Sequence, residues 1–280
     1  MKTIEIKNQE KKIYDICLDD SYGHLAEKLI ETGIKGRKVC IVTDSHVAPL
    51  YLKEIANLCC SIASKVVHFV FEAGEENKHL GVIENIYEKL ILEKFDRKDY
   101  IIALGGGVTG DMAGYAAATY LRGIDFIQLP TTLLSQVDSS IGGKTGVDFR
   151  KFKNMVGAFH QPALVYMNLN TLKTLDDRQL SAGMAEVIKH GLIKNTAYYE
   201  WIRSNAEKIL ARDYDTLEYM IYESCLIKGG VVERDPKEMG ERALLNFGHT
   251  VGHAVEKLKN FQLLHGECVA VGSIAAAAIS

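Results

Sequence analysis

The sequence predicts an α/β fold, with a parallel-sheet domain over residues 1–170 and an all-helical domain over residues 171–280. In the first half, short β-branched apolar runs alternate with amphipathic stretches, which is the pattern of a parallel sheet flanked by helices. From about Thr171 the pattern changes, because SAGMAEVIKHGLI, TLEYMIYESCLIKGGVV and ALLNFGHTVGHAVEKL are helical segments with no strand between them. We therefore expect the two domains to meet near residue 170.

The elements of the first half follow from these patterns in chain order. The start, MKTIEIKNQEKK, has strand character, and the helical stretches carry apolar residues three and four apart. The predicted strands are Lys38 to Thr43, Lys65 to Phe71, Tyr100 to Leu104 and Asp125 to Leu129, and the predicted helices are Tyr22 to Thr32, Val47 to Cys60 and Leu80 to Lys94.

Composition excludes several classes of protein. The 280 residues include 33 Lys and Arg against 36 Asp and Glu, with no basic block, which argues against nucleic acid or an anionic membrane as the main partner. No apolar run is long enough for a membrane span, and the N-terminus lacks the apolar core of a signal peptide. Six cysteines without CxxC or paired spacing indicate free thiols, so we expect a cytoplasmic protein.

Glycine is abundant, with 24 residues against 4 prolines, and it clusters directly after the predicted strand YIIAL. Gly105, Gly107 and Gly110 match the spacing G-x-G-x-x-G at a strand-to-helix turn, where the backbone and the helix N-terminus can approach a pyrophosphate. The alternative is a tight turn with close helix packing. A second cluster, Gly142-Gly143-Lys144-Thr145, is not a P-loop, because Asp138 stands where that motif requires glycine.

Polar side chains, four of them charged, lie among small and apolar residues between positions 122 and 154. They are Arg122, Asp138, Lys144, Lys153 and Asn154 with its amide. Polar groups in such surroundings are paired or line a wet cleft, since an unpaired buried charge is costly. Solvated surface charge is a reasonable alternative for Lys153 and a poorer one for Asp138 and Lys144.

Four side chains of the helical half could hold a metal ion: Glu186, His249, His253 and His265. Two histidines at i, i+4 with a distant glutamate are how a helical scaffold presents Zn²⁺, although the HExxH glutamate of the zincin proteases is missing. A catalytic site keeps one position open, so three ligands are expected, and spacing does not say which three. The alternative is that these histidines are structural.

Cationic and amide side chains of the same half complete the pattern. Lys189 follows Glu186 by three residues on one helix face, and Lys228 lies on the next long helical segment. Arg242 and Asn246 are expected on one helix with His253, and arginine suits a two-pronged grip on a carboxylate or phosphate. These groups indicate a small polyanionic substrate beside a metal, with surface ion pairing as the alternative.

Four segments in this order resemble the 3-dehydroquinate synthases: GGGVTGDMAGYAAATYLRGIDFIQLPTTLLSQVDSSIGGKTGVD, SAGMAEVIKHGLI, ALLNFGHTVGHAVE and LHGECVAVG. The resemblance implies an N-terminal Rossmann-like NAD-binding domain, a C-terminal helical metal-binding domain, bound NAD and a divalent metal, usually Zn²⁺ with Co²⁺ as an option. It also implies a homodimer. The implied reaction converts 3-deoxy-D-arabino-heptulosonate 7-phosphate to 3-dehydroquinate and phosphate, the second step of the shikimate pathway to chorismate and the aromatic amino acids.

The resemblance also implies roles for single residues. Glu186, His249 and His265 match the metal ligands. The substrate contacts are Arg122, Asp138, Lys144, Asn154, Lys189, Lys228, Arg242, Asn246 and His253, with Arg122 reaching across the dimer and Lys144, Asn154, Lys189, Arg242 and His253 expected to act in catalysis. The NAD contacts are Asp44, Glu75, Lys78, Gly106, Gly107, Val108, Asp111, Thr131, Thr132, Lys144, Lys153, Thr171, Leu172 and Thr174.

The implied chemistry is a phosphate elimination with a recycled cofactor. A substrate carbinol is oxidised by NAD⁺, phosphate leaves, the hydride returns, and an intramolecular aldol reaction closes the ring. The alternatives are another sugar-phosphate cyclase, such as a 2-deoxy-scyllo-inosose synthase or a valiolone-forming enzyme, a metal-dependent alcohol dehydrogenase, or a nucleotide-binding module without catalysis.

Two departures from the family pattern stand out. Asn168 and Asn170 occupy positions where relatives usually have aspartates. The chain also stops within the helical pattern VAVGSIAAAAIS, and the family is longer, so we expect a truncated sequence whose missing part carries another lysine that contacts the substrate.

Overall fold

The computed structural model describes residues 1–259 and 262–279, which divide into two units. The sheet unit comprises Met1–Glu5, Ile13–Thr131 and Gly143–Asn168, and the helical unit comprises Ile6–Lys12, Thr132–Gly142 and Leu169–Ser280. The α/β class is confirmed, with a parallel sheet and a helical region. Two short segments from within residues 1–170, Ile6–Lys12 and Thr132–Gly142, group with the helical unit.

The apolar runs of the first half form a seven-stranded sheet in the order β1-β2-β9-β6-β5-β3-β4, and β7 and β8 form a separate antiparallel ribbon. The pairs from β2 through β9, β6, β5 and β3 to β4 are all parallel. The strands are β1 Lys2–Asn8, β2 Lys11–Asp19, β3 Lys38–Asp44, β4 Lys65–Phe71, β5 Tyr100–Gly105, β6 Asp125–Pro130, β7 Lys144–Phe149, β8 Phe152–Phe159 and β9 Leu164–Asn168.

Side chains of the central strands alternate between two apolar cores, because successive residues of a strand face opposite sides of the sheet. On β3, Cys40 and Val42 belong to one core, and Val39 and Ile41 belong to the other. The first core is shared with two helices, α3 Leu80–Leu92 and α4 Gly107–Thr119, and the second with α1 Leu25–Glu31 and α2 Lys53–Cys60.

The chain order fixes where this sheet can bind a ligand. From β3 the chain moves outward to the edge strand β4, and from β5 it moves the other way to β6, so the direction of winding switches between β3 and β5. In open parallel sheets the crevice outside the carboxyl ends of the strands at such a switch point is the usual binding site. Asp44 ends β3 and Gly105 ends β5, so both stand at this point.

The helical unit is built around two long helices and a pair near the C-terminus. None of the described helices combines the length and the low charge that a membrane span requires. The helices are α5 Asp177–Lys194, α6 Thr196–Ser204, α7 Ala206–Leu210, α8 Tyr214–Arg234, α9 His249–Leu258 and α10 His265–Ile279, with a short π-helical segment Ser135–Ser139 and 3₁₀ segments at Leu169–Lys173 and Glu241–Asn246.

One helix prediction is wrong. Arg242 and Asn246 were expected on the same helix as His253, but they lie in the 3₁₀ segment, and α9 begins only at His249. Gly248 lies between the two elements with φ of 79°, in the left-handed region, which interrupts the helical path.

Candidate functional site

The carboxyl ends of three neighbouring strands of the sheet unit carry the predicted nucleotide residues. The hydroxyl of Thr109 on α4 donates to Asp44 Oδ2 over 3.1 Å, and Thr131 N, just after β6, donates to Gly105 O over 2.9 Å. Gly106 caps α4 without a side-chain hydrogen bond, so Gly107, Val108 and the rest of the first turn offer their N–H groups to an anion. This turn therefore fits the pyrophosphate of a dinucleotide.

The ammonium group of Lys78 joins several predicted binding residues. Lys78 is 4% exposed, and its Nζ donates to Asp111 Oδ2 over 2.6 Å and to Asn154 Oδ1 over 2.7 Å. Burial opposes its charge, but the carboxylates of Asp111 and Glu75 outweigh burial and raise the pKa of Lys78. Lys153 Nζ lies 3.3 Å from Glu75 Oε1 in the same cluster. The cluster is therefore a set of mutually neutralising charges.

A closed chain of hydrogen bonds holds Asn154 in this cluster. Asp148 N donates to Lys78 O over 2.8 Å, and Asn154 N donates to Asp148 Oδ1 over 2.8 Å. Asn154 adopts a φ of 54°, which a β-strand residue seldom has. Asp148 is thus a positioning residue of the cluster, and no local pattern in the sequence points to it.

The remaining predicted cofactor residues lie in the helical unit, except Lys144, which is exposed at the first position of β7 in the sheet unit. Thr132 exchanges hydrogen bonds with Ser135, at 2.9 Å between the two hydroxyl oxygens. Thr171 is buried in the 3₁₀ segment with Leu172, and its carbonyl oxygen accepts a hydrogen bond from the Thr174 hydroxyl over 2.9 Å.

Glycines allow the helices of the metal-ligand candidates to approach closely. A Cβ on Gly266 of α10 would lie 1.9 Å from the Ala182 carbonyl oxygen of α5, and a Cβ on Gly272 would lie 2.0 Å from Gly248 O, just before α9. Side chains larger than hydrogen are therefore incompatible with this packing. Since Gly248 and Gly266 are sequence neighbours of His249 and His265, the close approach also brings the histidines together.

Glu186, His249 and His265 form a three-residue group whose ligand atoms lie within 4.8 Å of one another. Nε2 of His249 lies 3.9 Å and Nε2 of His265 lies 3.7 Å from Glu186 Oε1. Glu186 is fully buried and contacts the Lys189 ammonium, yet within the described residues neither of its carboxylate oxygens accepts a well-formed hydrogen bond. A buried carboxylate facing two imidazoles is a donor set that suits a divalent cation.

The protonation state of His249 fits the same conclusion. Burial, followed by the positive charge of Lys189, lowers the pKa of His249 to about 3, so the imidazole is neutral near pH 7. Its Nδ1 lies 3.3 Å from the Phe247 carbonyl oxygen, which favours the tautomer with the proton on Nδ1. Nε2 then keeps its lone pair toward Glu186, as a metal ligand requires.

His253 lies next to this group on the exposed side of α9. Its ring centroid is 5.2 Å from that of His249 and 6.0 Å from that of His265. His253, His265 and the buried Glu256 also have ligand atoms within 4.8 Å of one another. Sequence reasoning missed Glu256, although it stands three residues after His253 on the same helix face.

A buried ladder of charges, formed by Asp138, Lys189 and Lys228, adjoins Glu186. Lys228 Nζ donates to the Asp138 carbonyl oxygen over 2.7 Å and contacts its carboxylate. Burial opposes ionisation of Asp138, but Lys228 and Lys189 outweigh it and lower its pKa, whereas burial lowers the pKa of Lys228. The ladder thus presents two buried ammonium groups, which suit an anionic substrate.

His190 is the residue of this ladder that sequence reasoning overlooked. It is fully buried, and one of its ring nitrogens lies within 4.8 Å of carboxylate oxygens of Asp138 and Glu186. Burial, together with the nearby Lys189, lowers the pKa of His190 to about 3. Neither ring nitrogen has a hydrogen-bond partner in the part of the chain that the structure describes.

The other predicted substrate residues are spread over both units. Arg242 is 2% exposed, and its guanidinium donates to Pro236 O over 2.9 Å and to Gly142 O over 3.2 Å. Asn246 is exposed and donates to Glu238 Oε1 over 2.9 Å. In the sheet unit, Arg122 is exposed and has a φ of 70°.

A sheet with a nucleotide-type turn and a helical unit with a Glu-His-His group define the class of NAD- and metal-dependent enzymes to which the sugar-phosphate cyclases belong. Two solved structures of such cyclases are similar to this chain. A 2-deoxy-scyllo-inosose synthase complexed with carbaglucose-6-phosphate, NAD⁺ and Co²⁺ is 29% identical, with a TM-score of 0.88 over 98% of this chain and 74% of that one. A 2-epi-5-epi-valiolone synthase from Streptomyces hygroscopicus subsp. jinggangensis with NAD⁺ and Zn²⁺ bound is 26% identical, with a TM-score of 0.85 over 96% of this chain and 75% of that one.

Sequence comparison identifies the family within this class. The family model for the 3-dehydroquinate synthase N-terminal region matches residues 68–182, and the model for the C-terminal region matches residues 183–280. The 3-dehydroquinate synthase of Ruminiclostridium cellulolyticum is 49% identical over 267 residues, which cover 95% of this chain and 74% of that protein. The chain belongs to the 3-dehydroquinate synthase family.

Proposed function

We propose that this chain acts as a 3-dehydroquinate synthase, a phosphate-eliminating lyase of the shikimate pathway. It would convert 3-deoxy-D-arabino-heptulosonate 7-phosphate to 3-dehydroquinate and phosphate through transient oxidation, elimination, re-reduction and aldol closure. The observation that carries the proposal is the group formed by Glu186, His249 and His265 in a chain of this family. The same side chains supply the fit for a divalent metal, because the neutral His249 imidazole and the His265 ring both face the buried Glu186 carboxylate.

The chain's own residues would hold the reacting groups. When bound, NAD⁺ supplies a reversible hydride acceptor and Zn²⁺ or Co²⁺ a Lewis acid. The uncapped first turn of α4 would bind the pyrophosphate, and Asp44 at the end of β3 would receive the adenosine ribose. Glu186, His249 and His265 would hold the metal. The sheet unit would thus provide the residues for the pyrophosphate and the adenosine ribose, and the helical unit the metal ligands.

Buried cations of the helical unit support an anionic substrate. Lys189, Lys228 and Arg242 are each at most 6% exposed, and a buried cation near an open position binds an anion strongly. Holding a flexible heptulosonate in successive reactive poses lowers the barrier by orientation, which is worth several kcal/mol in such cases. Arg242, Asn246 and His253 together favour a substrate with a carboxylate over the substrates of the other cyclases.

A homodimer in the cytoplasm is part of the proposal. Arg122 is exposed and follows Leu121, and both have left-handed φ values, 70° and 51°. Strained exposed residues of this kind accumulate at functional positions, which supports a role for Arg122 in a neighbouring subunit's site. The six free cysteines, five of them buried, support a reducing compartment.

A phosphate-release assay tests the proposed function. The chain is incubated with heptulosonate 7-phosphate, NAD⁺ and Zn²⁺, and phosphate and NADH are followed together. We expect phosphate release with no net NADH, loss of release in Glu186→Ala with NAD⁺ binding retained, and no change in the control Glu200→Ala, an exposed residue of α6. Net NADH accumulation would indicate an alcohol dehydrogenase instead, and unchanged turnover of Glu186→Ala would reject the metal assignment.

A further inference from the structure

Arg178 and Glu267 form a two-pronged ion pair between the first turn of α5 and the first turn of α10. Arg178 Nε lies 2.7 Å from Glu267 Oε1, and Nη2 lies 2.8 Å from Oε2. Nη2 also donates to the Gln262 carbonyl oxygen over 3.2 Å. The guanidinium therefore grips both the carboxylate and the backbone that leads into α10, a geometry that lysine cannot reproduce.

Glu267 also determines where α10 begins. Its Oε2 accepts a hydrogen bond from Leu264 N over 2.8 Å, and the helix starts at the next residue, His265. A glutamate at the third helical position that reaches back to the N–H of the capping residue is one half of a capping box. The carboxylate also lies at the positive end of the helix dipole. Glu267 thus fixes His265 as the first residue of α10.

The same two helices carry two of the metal-ligand candidates. Glu186 lies in the middle of α5, whose first turn holds Arg178, and His265 begins α10. The His265 Nε2 to Glu186 Oε1 distance of 3.7 Å therefore depends on how α10 is seated on α5. Gly266 packs against the Ala182 carbonyl between these points, so the ion pair and the glycine contact together fix that seating.

We propose that Arg178 and Glu267 are positioning residues of the metal centre, whose ion pair sets the spacing of His265 and Glu186 and with it the affinity for a divalent cation. The proposal rests on the proposed function, in which these two residues are ligands. The side chains of Arg178 and Glu267 are 55% and 30% exposed, and exposed ion pairs contribute little to global stability. A change in metal affinity is therefore separable from a change in folding.

Metal titrations of the metal-free chain test this role. Zn²⁺ affinity is measured by competition with a chromogenic chelator, and Co²⁺ binding by its visible absorption spectrum, for the wild type, Arg178→Met, Glu267→Gln and the double variant. We expect each single change to weaken Zn²⁺ binding roughly tenfold, as changes to groups that orient metal ligands do, and to alter the Co²⁺ spectrum. The double variant should be little weaker than either single one, because both changes break one interaction.

Two further variants separate positioning from folding. Arg178→Lys keeps the charge without the two-pronged geometry and should recover part of the affinity. Arg203→Met breaks a comparably exposed pair on α6, Arg203 with Glu200 at 2.9 Å, and should leave both metal titrations unchanged. Wild-type Zn²⁺ affinity and an unaltered Co²⁺ spectrum in Arg178→Met and Glu267→Gln overturn the positioning role. A wild-type chain that binds neither metal overturns the proposed function itself, and the positioning role with it.

Discussion

Two buried polar clusters, one around Lys78 in the sheet unit and one around Glu186 and His190 in the helical unit, differ in how fully their hydrogen bonds are satisfied. In the sheet unit, the Lys78 ammonium has two hydrogen-bond acceptors, Asp111 and Asn154, at 2.6 and 2.7 Å. In the helical unit, the ring nitrogens of His190 have no hydrogen-bond partner among the described residues, and the Glu186 carboxylate contacts the Lys189 ammonium without a well-formed hydrogen bond. A buried polar atom without a partner costs about 1 to 3 kcal/mol. The sheet cluster is thus complete in the protein alone, whereas the helical centre gains from a ligand.

Binding of a divalent metal should produce the largest change in the free energy of unfolding, because the metal binds the helical centre. Since the metal binds the folded helical centre and not an unfolded chain, Zn²⁺ at a thousandfold excess over its Kd should stabilise the chain by about 4 kcal/mol. Urea unfolding with and without Zn²⁺ measures this gain. Glu186→Ala should lose the gain, and the metal-free variant should itself be less stable, because the change leaves the buried Lys189 ammonium without its carboxylate. An equal gain in Glu186→Ala would mean that the metal binds elsewhere.

Removal of the Lys78 ammonium should destabilise the sheet unit, because it removes the donor that Asp111 and Asn154 share. Lys78→Met leaves Asp111 without its cation, and breaking a buried pair in this way costs about 3 kcal/mol. Urea unfolding is the measurement, and NAD⁺ binding should weaken in parallel. The control Lys65→Met removes an exposed pair with Glu93 and should cost much less stability. Equal losses of stability in Lys78→Met and Lys65→Met would contradict the conclusion that the Lys78 cluster is a complete buried network.

Most of the sheet could be predicted from the sequence, because strands covered on both faces are continuous apolar runs. The predicted ends of β3 and β6 each fall within one residue of those observed, and β4 matches fully. Strands β2 and β9 of the sheet and the β7–β8 ribbon were not predicted. No residue of strand β8, Phe152–Phe159, is fully buried, so it lacks the continuous buried apolar run by which the sheet strands were predicted.

The candidate site was only partly predictable, for a geometric reason. His249 and His253 lie on successive turns of α9, and each is near His265, so spacing cannot choose between them. Ion pairs such as Arg178 with Glu267 join residues 89 positions apart and leave no local pattern. The available signal was that His249 and His253 each follow a glycine and that His265 precedes one, which is where helices can cross closely.

The close packing at Gly266 should be sensitive to one methyl group. Gly266→Ala places a Cβ against the Ala182 carbonyl oxygen, and overpacking of this kind costs about 2 kcal/mol. Because α10 must then shift on α5, Zn²⁺ affinity should fall as well. Gly230→Ala in α8 is the matched control, since its Cβ would meet only the flexible end of Arg234 at 3.3 Å. A Gly266→Ala protein as stable as this control would contradict the packing.

At neutral pH the smallest expected effect is that of His190, which contributes only as the pH falls. Its pKa is about 3 in the folded chain, against about 6.5 in an unfolded one. Above pH 6.5 both states are neutral and the group has no effect on the free energy of unfolding. As pH falls toward 3, the unfolded chain takes up a proton that the folded chain refuses, so stability falls by up to about 1.4 kcal/mol per pH unit.

His190→Leu should remove this contribution, because leucine has no proton to bind. Urea unfolding of both proteins, without metal, between pH 7 and 4.5 gives the two slopes. The wild type should lose more stability than the variant as pH falls, and His249, whose pKa burial also lowers to about 3, should account for part of the slope that remains. Parallel curves would mean that the His190 ring is paired in the folded protein. At His190 the helical centre would then have its hydrogen bonds satisfied without metal, as the Lys78 cluster does.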